Sequence, residues 1–170
     1  MRLLMSDTPL PGIQFVQPEN RFVDLSEKKI SPCVGCFGCW VKTPGKCVIR
    51  DDATEIYPLI ARAEALVYVS RLKYGSYDTV MKTMLERAIP IQQAFIRLYN
   101  GETHHIQRNV KEKDAVILAY GDTSEAERQV FRRLVARNAN NMLFRSYRIR
   151  FLPESELAEA ARQEVSSWEN

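Results

Sequence analysis

DAVILAYGDTSEAERQVFRRLV, residues 114 to 135, holds the pattern that decides the fold. Asp114 to Gly121 is the clearest run of buried-strand character in the chain. Ser124 then stands three residues before Glu127, the spacing at which a hydroxyl and a carboxylate cap each other's backbone at a helix start. Phe131, Leu134 and Val135 follow at helical spacing. A buried strand feeding a capped helix is half of a βαβ unit, the connection that parallel strands require.

The same alternation recurs on both sides. ALVYVS (Ala65 to Ser70) reads as a buried strand, and a turn at Gly75 leads to TVMKTMLERAI, where Val80, Met81, Met84 and Leu85 make an apolar helix face. Upstream, Asp52 and Glu55 have capping-box spacing before Ile56, Leu59, Ile60 and Ala63, with Pro58 placed to bend that helix. RLLMS (Arg2 to Ser6) and RFVDL (Arg21 to Leu25) are short strand candidates. RSYRIRF alternates with period two as a last strand, and ESELAEAARQEV is an amphipathic final helix. Residues 100 to 113, NGETHHIQRNVKEK, read as a polar exposed excursion. Five strands separated by helices imply a parallel sheet covered on both faces, in one domain spanning residues 1–170.

Composition agrees with one compact α/β domain. The chain has 170 residues, 45% apolar and 26% charged, which suffices for a single core. Its net charge of +3 does not mark a nucleic-acid or membrane partner. No apolar run approaches the roughly 20 residues of a membrane span, and the early prolines argue against a signal peptide, so a cytoplasmic protein is expected. In that compartment the four cysteines, all within CVGCFGCWVKTPGKC (residues 33 to 47), are thiols or metal ligands rather than a disulfide framework.

SPCVGCFGCWVKTPGKCVIRDD, with the helix after it, ALVYVS, the YGSY turn, MKTMLERAIP, and the later NGETHH and YGD segments, resembles the NAD(P)H-dependent FMN reductase and iron–sulfur flavoprotein group of the flavodoxin-like superfamily. The likeness runs from about Pro32 to Asn141. It implies a flavodoxin-like three-layer sandwich with a five-stranded parallel sheet in the order 2-1-3-4-5, and FMN at the carboxyl ends of the strands. It also implies NAD(P)H and a small electron acceptor as partners, and a homo-oligomer.

The resemblance breaks at two places. Members of the group follow strand one with a glycine- and serine-rich loop and a long helix that receive the flavin phosphate on backbone N–H groups. Here strand one is followed by DTPLPGIQFVQPENR, where Pro9, Pro11 and Pro18 remove donors and interrupt any helix. The first crossover helix is expected to be short or missing, and Ser6, Thr8 and the amide of Gly12 are the local substitutes. After the third strand the group carries serine, proline, any residue, tyrosine, an aromatic and glycine. This chain carries over Ser70, Tyr74 and Gly75 but places Arg71 and Lys73 where proline and tyrosine are usual. Both cations either meet an anion or reach solvent. Gly121 and Asp122 complete the set of cofactor contacts that the resemblance implies, around a degenerate FMN site.

For the cysteine loop the resemblance offers Cys33, Cys36, Cys39 and Cys47 as ligands of a [4Fe-4S] cluster, with Gly35 and Gly38 allowing the tight backbone. Zinc on four thiolates and free thiols that shape the loop are the alternatives. Other candidates have ordinary readings. His104 and His105 are adjacent and point apart, so they line a loop or an interface rather than share a metal. Asp51 and Asp52 have the look of paired carboxylates for acid–base work, but helix capping accounts for at least Asp52. Arg128, Arg132, Arg133, Arg137, Arg145, Arg148 and Arg150, interleaved with Glu125 and Glu127, read as a solvated or interface surface. Three functions are open: an FMN-binding NAD(P)H-dependent oxidoreductase with weakened flavin binding, an iron–sulfur electron carrier, and a non-catalytic flavodoxin-like subunit that lacks FMN.

Overall fold

The computed structural model describes residues 1–169. In chain order, β1 (Arg2–Ser6) and β2 (Asn20–Asp24) precede the short α1 (Gly38–Val41), α2 (Ala53–Arg62), β3 (Ala65–Lys73), β4 (Ser76–Tyr77) and α3 (Thr79–Glu86). Then come β5 (Gln92–Tyr99), β6 (Glu102–Gln107), β7 (Lys113–Tyr120), α4 (Glu125–Met142), β8 (Phe144–Leu152) and α5 (Leu157–Val165).

Five strands pair in parallel in the order β2-β1-β3-β7-β8, the flavodoxin-like order. The sheet nevertheless has six strands rather than five, because β4 turns back antiparallel on β3 and pairs Leu72 with Tyr77. Tyr74 and Gly75 both take positive φ, 54° and 72°, the backbone that closes a two-residue hairpin. A second, two-stranded sheet of β5 and β6 replaces part of the expected polar excursion.

Side chains alternate across each strand, so the sheet has two distinct faces. On one, Ile56, Ile60, Met81, Met84, Phe131 and Val135 from α2, α3 and α4 cover Leu3, Met5, Leu66, Tyr68 and Ile117. On the other, Leu4, Val67, Val69 and Leu118 lie under Leu157, Ala160, Ala161 and Val165 of α5. No helix forms between Ser6 and Asn20, as the prolines predict. Leu10 and Ile13 from that irregular segment, with Phe15 stacked on Trp168 at 5.5 Å, take part of the missing helix's place.

The caps differ from each other. At α4 the reciprocal capping box is present: Glu127 N donates to Ser124 Oγ at 3.3 Å, and Ser124 N to Glu127 Oε2 at 2.9 Å. At α2 the expectation for Asp52 is corrected. Asp52 has helical φ and ψ, which removes its side chain from the cap position, and its carboxylate accepts from Lys29 N at 2.7 Å instead. Asp51 does the capping, accepting from Ala53 N at 3.2 Å. Val80, expected on the apolar face of α3, is exposed, while Met81 and Met84 are fully buried.

Candidate functional site

In this strand order the connections after β1 and β3 leave in opposite directions, which opens a crevice at their carboxyl ends. Asp7, the residue after β1, fills it. Its Oδ2 accepts from Ser70 Oγ at 2.9 Å and from Arg71 N at 2.8 Å, and its Oδ1 accepts from the Tyr120 hydroxyl at 3.0 Å. Those donors come from the ends of β3 and β7, where Arg71 and Tyr120 are register partners. Burial pushes the Asp7 carboxyl above its usual range, opposed by the three hydrogen bonds, while Asp78 adds to the rise. Burial and the Asp7 charge likewise push the Tyr120 phenol upward, so it stays a donor.

Of the local substitutes expected for a phosphate cradle, Ser6 is not free. Ser6 is fully buried, and its Oγ accepts from Thr8 N at 3.2 Å and donates to Thr8 O at 2.6 Å. Gly12 has φ of 79° and packs near Arg162, whose Nη1 donates to Pro11 O at 3.2 Å. A flavin phosphate meets a carboxylate here rather than open amides, so the phosphate end of FMN does not fit these residues.

Arg71, Lys73, Tyr74 and Asp122 do converge, lining a cleft of about 340 Å³ with Leu72, Asp78 and Glu127. Tyr74 is 83% exposed at the hairpin tip, with the Lys73 ammonium 5.5 Å from its ring centre. Gly75 shapes the turn: a Cβ there would lie 2.9 Å from the Val130 side chain. Gly121, at φ of 113°, lets the chain pass close to Leu72 O, and it lines a neighbouring depression with Thr123 and Arg128. Ser70 is separate from these, buried and bonded to Asp7. Two cations face three carboxylates in the cleft, which gives no cationic focus for an anion.

The cysteine loop stands on a buried cation. Arg87, 1% exposed, donates through Nη1 to Ser31 O and Asp51 Oδ2, both at 2.7 Å. Its Nη2 reaches Asp51 Oδ1 at 2.9 Å, Ile49 O at 3.2 Å and Cys47 Sγ at 3.4 Å. Burial alone would push the Asp51 carboxyl up, but Arg87 and the amides of Ser31 and Ala53 hold it below its usual range. Trp40 fixes the other end of the loop, donating Nε1–H to Gln92 O at 3.0 Å and packing at a 45° tilt against the His105 ring, 4.8 Å away. His104 turns the opposite way, to Asn141 and Glu102, so the two histidines part as expected.

None of the four cysteines is paired in a disulfide, and Cys33 and Cys36 are exposed. Burial, and then Cys47, push the Cys39 thiol up. Among the described residues no three His, Cys, Asp or Glu side chains stand close enough to share a metal ion. Asp7 and Arg87 were not singled out by sequence; each acts through partners distant along the chain, which leaves no local signature.

No protein-family model matches the chain. It is 32% identical over 77 residues to an iron–sulfur flavoprotein of Methanocaldococcus jannaschii, covering 45% of this chain and 39% of that protein. It is 35% identical over 86 residues to an iron–sulfur flavoprotein of Archaeoglobus fulgidus, covering 51% and 38%. The chain thus matches about two fifths of the length of these relatives. Among solved structures it resembles an NAD(P)H:quinone oxidoreductase from Methanothermobacter marburgensis, with TM-score 0.57, 13% identity and coverage of 99% and 95%. An azoreductase from Bacillus anthracis superposes with TM-score 0.54 at 14% identity, covering 100% and 99%. The fold is thus flavodoxin-like, and about half of the chain is similar in sequence to part of the iron–sulfur flavoproteins.

Proposed function

We propose that the chain is an oxidoreductase of the NAD(P)H- and flavin-dependent kind with a weak hold on its flavin. The carrying observation is the cleft at the carboxyl ends of the strands, where Arg71, Lys73, Tyr74 and Asp122 come together beside the β1–β3 switch point. Ligands of open α/β sheets bind in that crevice. The names of the relatives, flavoproteins in sequence and FMN-linked reductases in fold, support the same chemistry.

On this reading the exposed Tyr74 ring offers a stacking surface at the hairpin tip, and Gly75 and Gly121 keep the backbone low enough for a planar ligand to approach. Lys73 and Arg71 offer hydrogen-bond donors to a ligand's polar edge. Ser70 acts at one remove, by holding Asp7. A bound flavin supplies the electron-transfer chemistry. NADH or NADPH is the donor, and a quinone-like small molecule is the acceptor class. The cysteine loop shapes the surface beside the β5–β6 hairpin.

The test is titration of the purified protein with flavin, followed by fluorescence quenching, and oxidation of NADH and NADPH with and without added FMN. Saturable quenching and flavin-stimulated nicotinamide oxidation are expected. Absence of both for every flavin tried defeats the reading.

A further inference from the structure

Resting on the flavin reading above, we infer that Asp7 is the specificity residue of the crevice: its carboxylate stands in for a ligand phosphate, so the site takes the neutral, phosphate-free flavin at least as readily as FMN.

The donor set is what carries this. A hydroxyl (Ser70), a backbone amide (Arg71) and a phenol (Tyr120) converge on one point at the carboxyl ends of β3 and β7. Three converging donors of that kind form an anion-binding site. Here the anion is built into the chain. Asp7 is held in place by its own backbone, because its N–H donates to Val69 O at 3.1 Å and continues the β1–β3 ladder by one residue. The carboxylate is therefore tethered, and a phosphate competing for the same donors must displace it or share the site with it.

Sharing is unfavourable. Phosphate monoesters carry nearly two negative charges at neutral pH, and like charges brought together out of bulk water repel strongly. Asp78, whose charge already raises the Asp7 carboxyl, adds to the repulsion. The opposite holds for a polyol tail. A carboxylate has about four lone-pair positions and Asp7 uses three, which leaves acceptor capacity for a ligand hydroxyl. A ribityl chain ending in a hydroxyl donates to that oxygen, whereas a phosphate offers only acceptors. With no helix after β1, the usual counter-attraction for phosphate, amides and a helix dipole, is also missing. Arg71 and Lys73 are the nearby cations, and they stand over a cleft that already holds Asp78, Asp122 and Glu127.

The deciding measurement compares riboflavin and FMN affinities of the intact chain and of Asp7→Asn by quenching of flavin fluorescence. The inference expects riboflavin to bind the wild-type chain as tightly as FMN or more tightly, and Asp7→Asn to shift the ratio towards FMN by about tenfold or more. A wild-type preference for FMN of tenfold overturns it while leaving the flavin reading intact. If the wild-type chain binds neither flavin, the flavin reading falls, and Asp7 is judged by thermal protection with inorganic phosphate. Protection of Asp7→Asn but not of wild type then upholds the carboxylate's role as a built-in anion, and equal behaviour of the two overturns it. The wild-type ratio decides alone if the variant does not fold.

Discussion

The two faces of the sheet bury the same strands by different means. Beneath α2, α3 and α4, packing is helical throughout, and it takes in whole aromatic rings: Phe131 meets Tyr77 edge-on at 4.9 Å and Phe151 at 6.3 Å. Beneath α5, one helix and an irregular, proline-broken segment share the work. The first face also carries buried charge, in Arg87 and Lys113, while Asp7 sits beyond the strands at their carboxyl ends. The contrast teaches that losing one crossover helix costs this fold little core, because Leu10 and Ile13 still reach the sheet. It does remove the helix end on which an anion would rest.

The largest effect expected is at Arg87. Arg87→Met leaves the Asp51 carboxylate without its cation and the carbonyls of Ser31 and Ile49 without the guanidinium donor, and a loss of about 3–5 kcal/mol in denaturant unfolding is expected. A loss below about 1 kcal/mol would show that the cysteine loop does not depend on this cation. Packing comes next. Phe131→Ala on the helical face should cost about 3–5 kcal/mol, and Leu10→Ala on the irregular face about 2 kcal/mol, because its segment can collapse into the space left. Equal losses would break the comparison, since the irregular segment would then be as firmly packed as a helix.

Lys113 sharpens it further. The side chain is fully buried, its Nζ donates to Met142 O at 3.1 Å, and burial pushes its pKa down to about 8 from 10.5. Between those two values the unfolded chain holds a proton that the native chain has released, so stability rises with pH across that window. Lys113→Met should raise stability at neutral pH by roughly 1–2 kcal/mol, with the advantage shrinking as pH climbs from 8 to 10.5. A pH-independent difference between the two proteins would refute the assignment.

The smallest change concerns Asp7 itself. Its folded pKa is raised, so its contribution to stability is fully present below the unfolded value of 3.8 and is lost as pH rises through the folded value. Asp7→Asn should therefore melt slightly higher than wild type at neutral pH, by less than about 1 kcal/mol, with the curves meeting in acid. A variant less stable than wild type at neutral pH and unchanged in acid would reverse the sign.

Much of the frame was legible in the residues. Strand runs such as Leu66 to Val69 and Ile117 to Leu118 are buried on both sides, so their apolar continuity survives any context. The Ser124 capping box is local chemistry and formed as read. The short β4 was hidden because two residues carry no period, and β5 and β6 because a hairpin off the main sheet, with Phe95, Ile96 and Leu98 exposed, lacks the in–out alternation of a core strand. At the candidate site, Arg71, Lys73, Tyr74 and Asp122 line one cleft. Asp7 was illegible, since the partners that define it are 63, 64 and 113 residues away. Asp51 and Asp52 exchanged roles for a similar reason: Arg87 and Lys29 claim their carboxylates from outside the helix.

The irregular segment after β1 has a consequence for synthesis on the ribosome. Leu4 and Val67 find their helical cover only in residues 157 to 165, so a nascent chain that has already completed α2, α3 and α4 on one side still presents bare strands on the other. Until α5 has been made the growing domain is a half-closed book, and its open page is where a chaperone would be expected to bind.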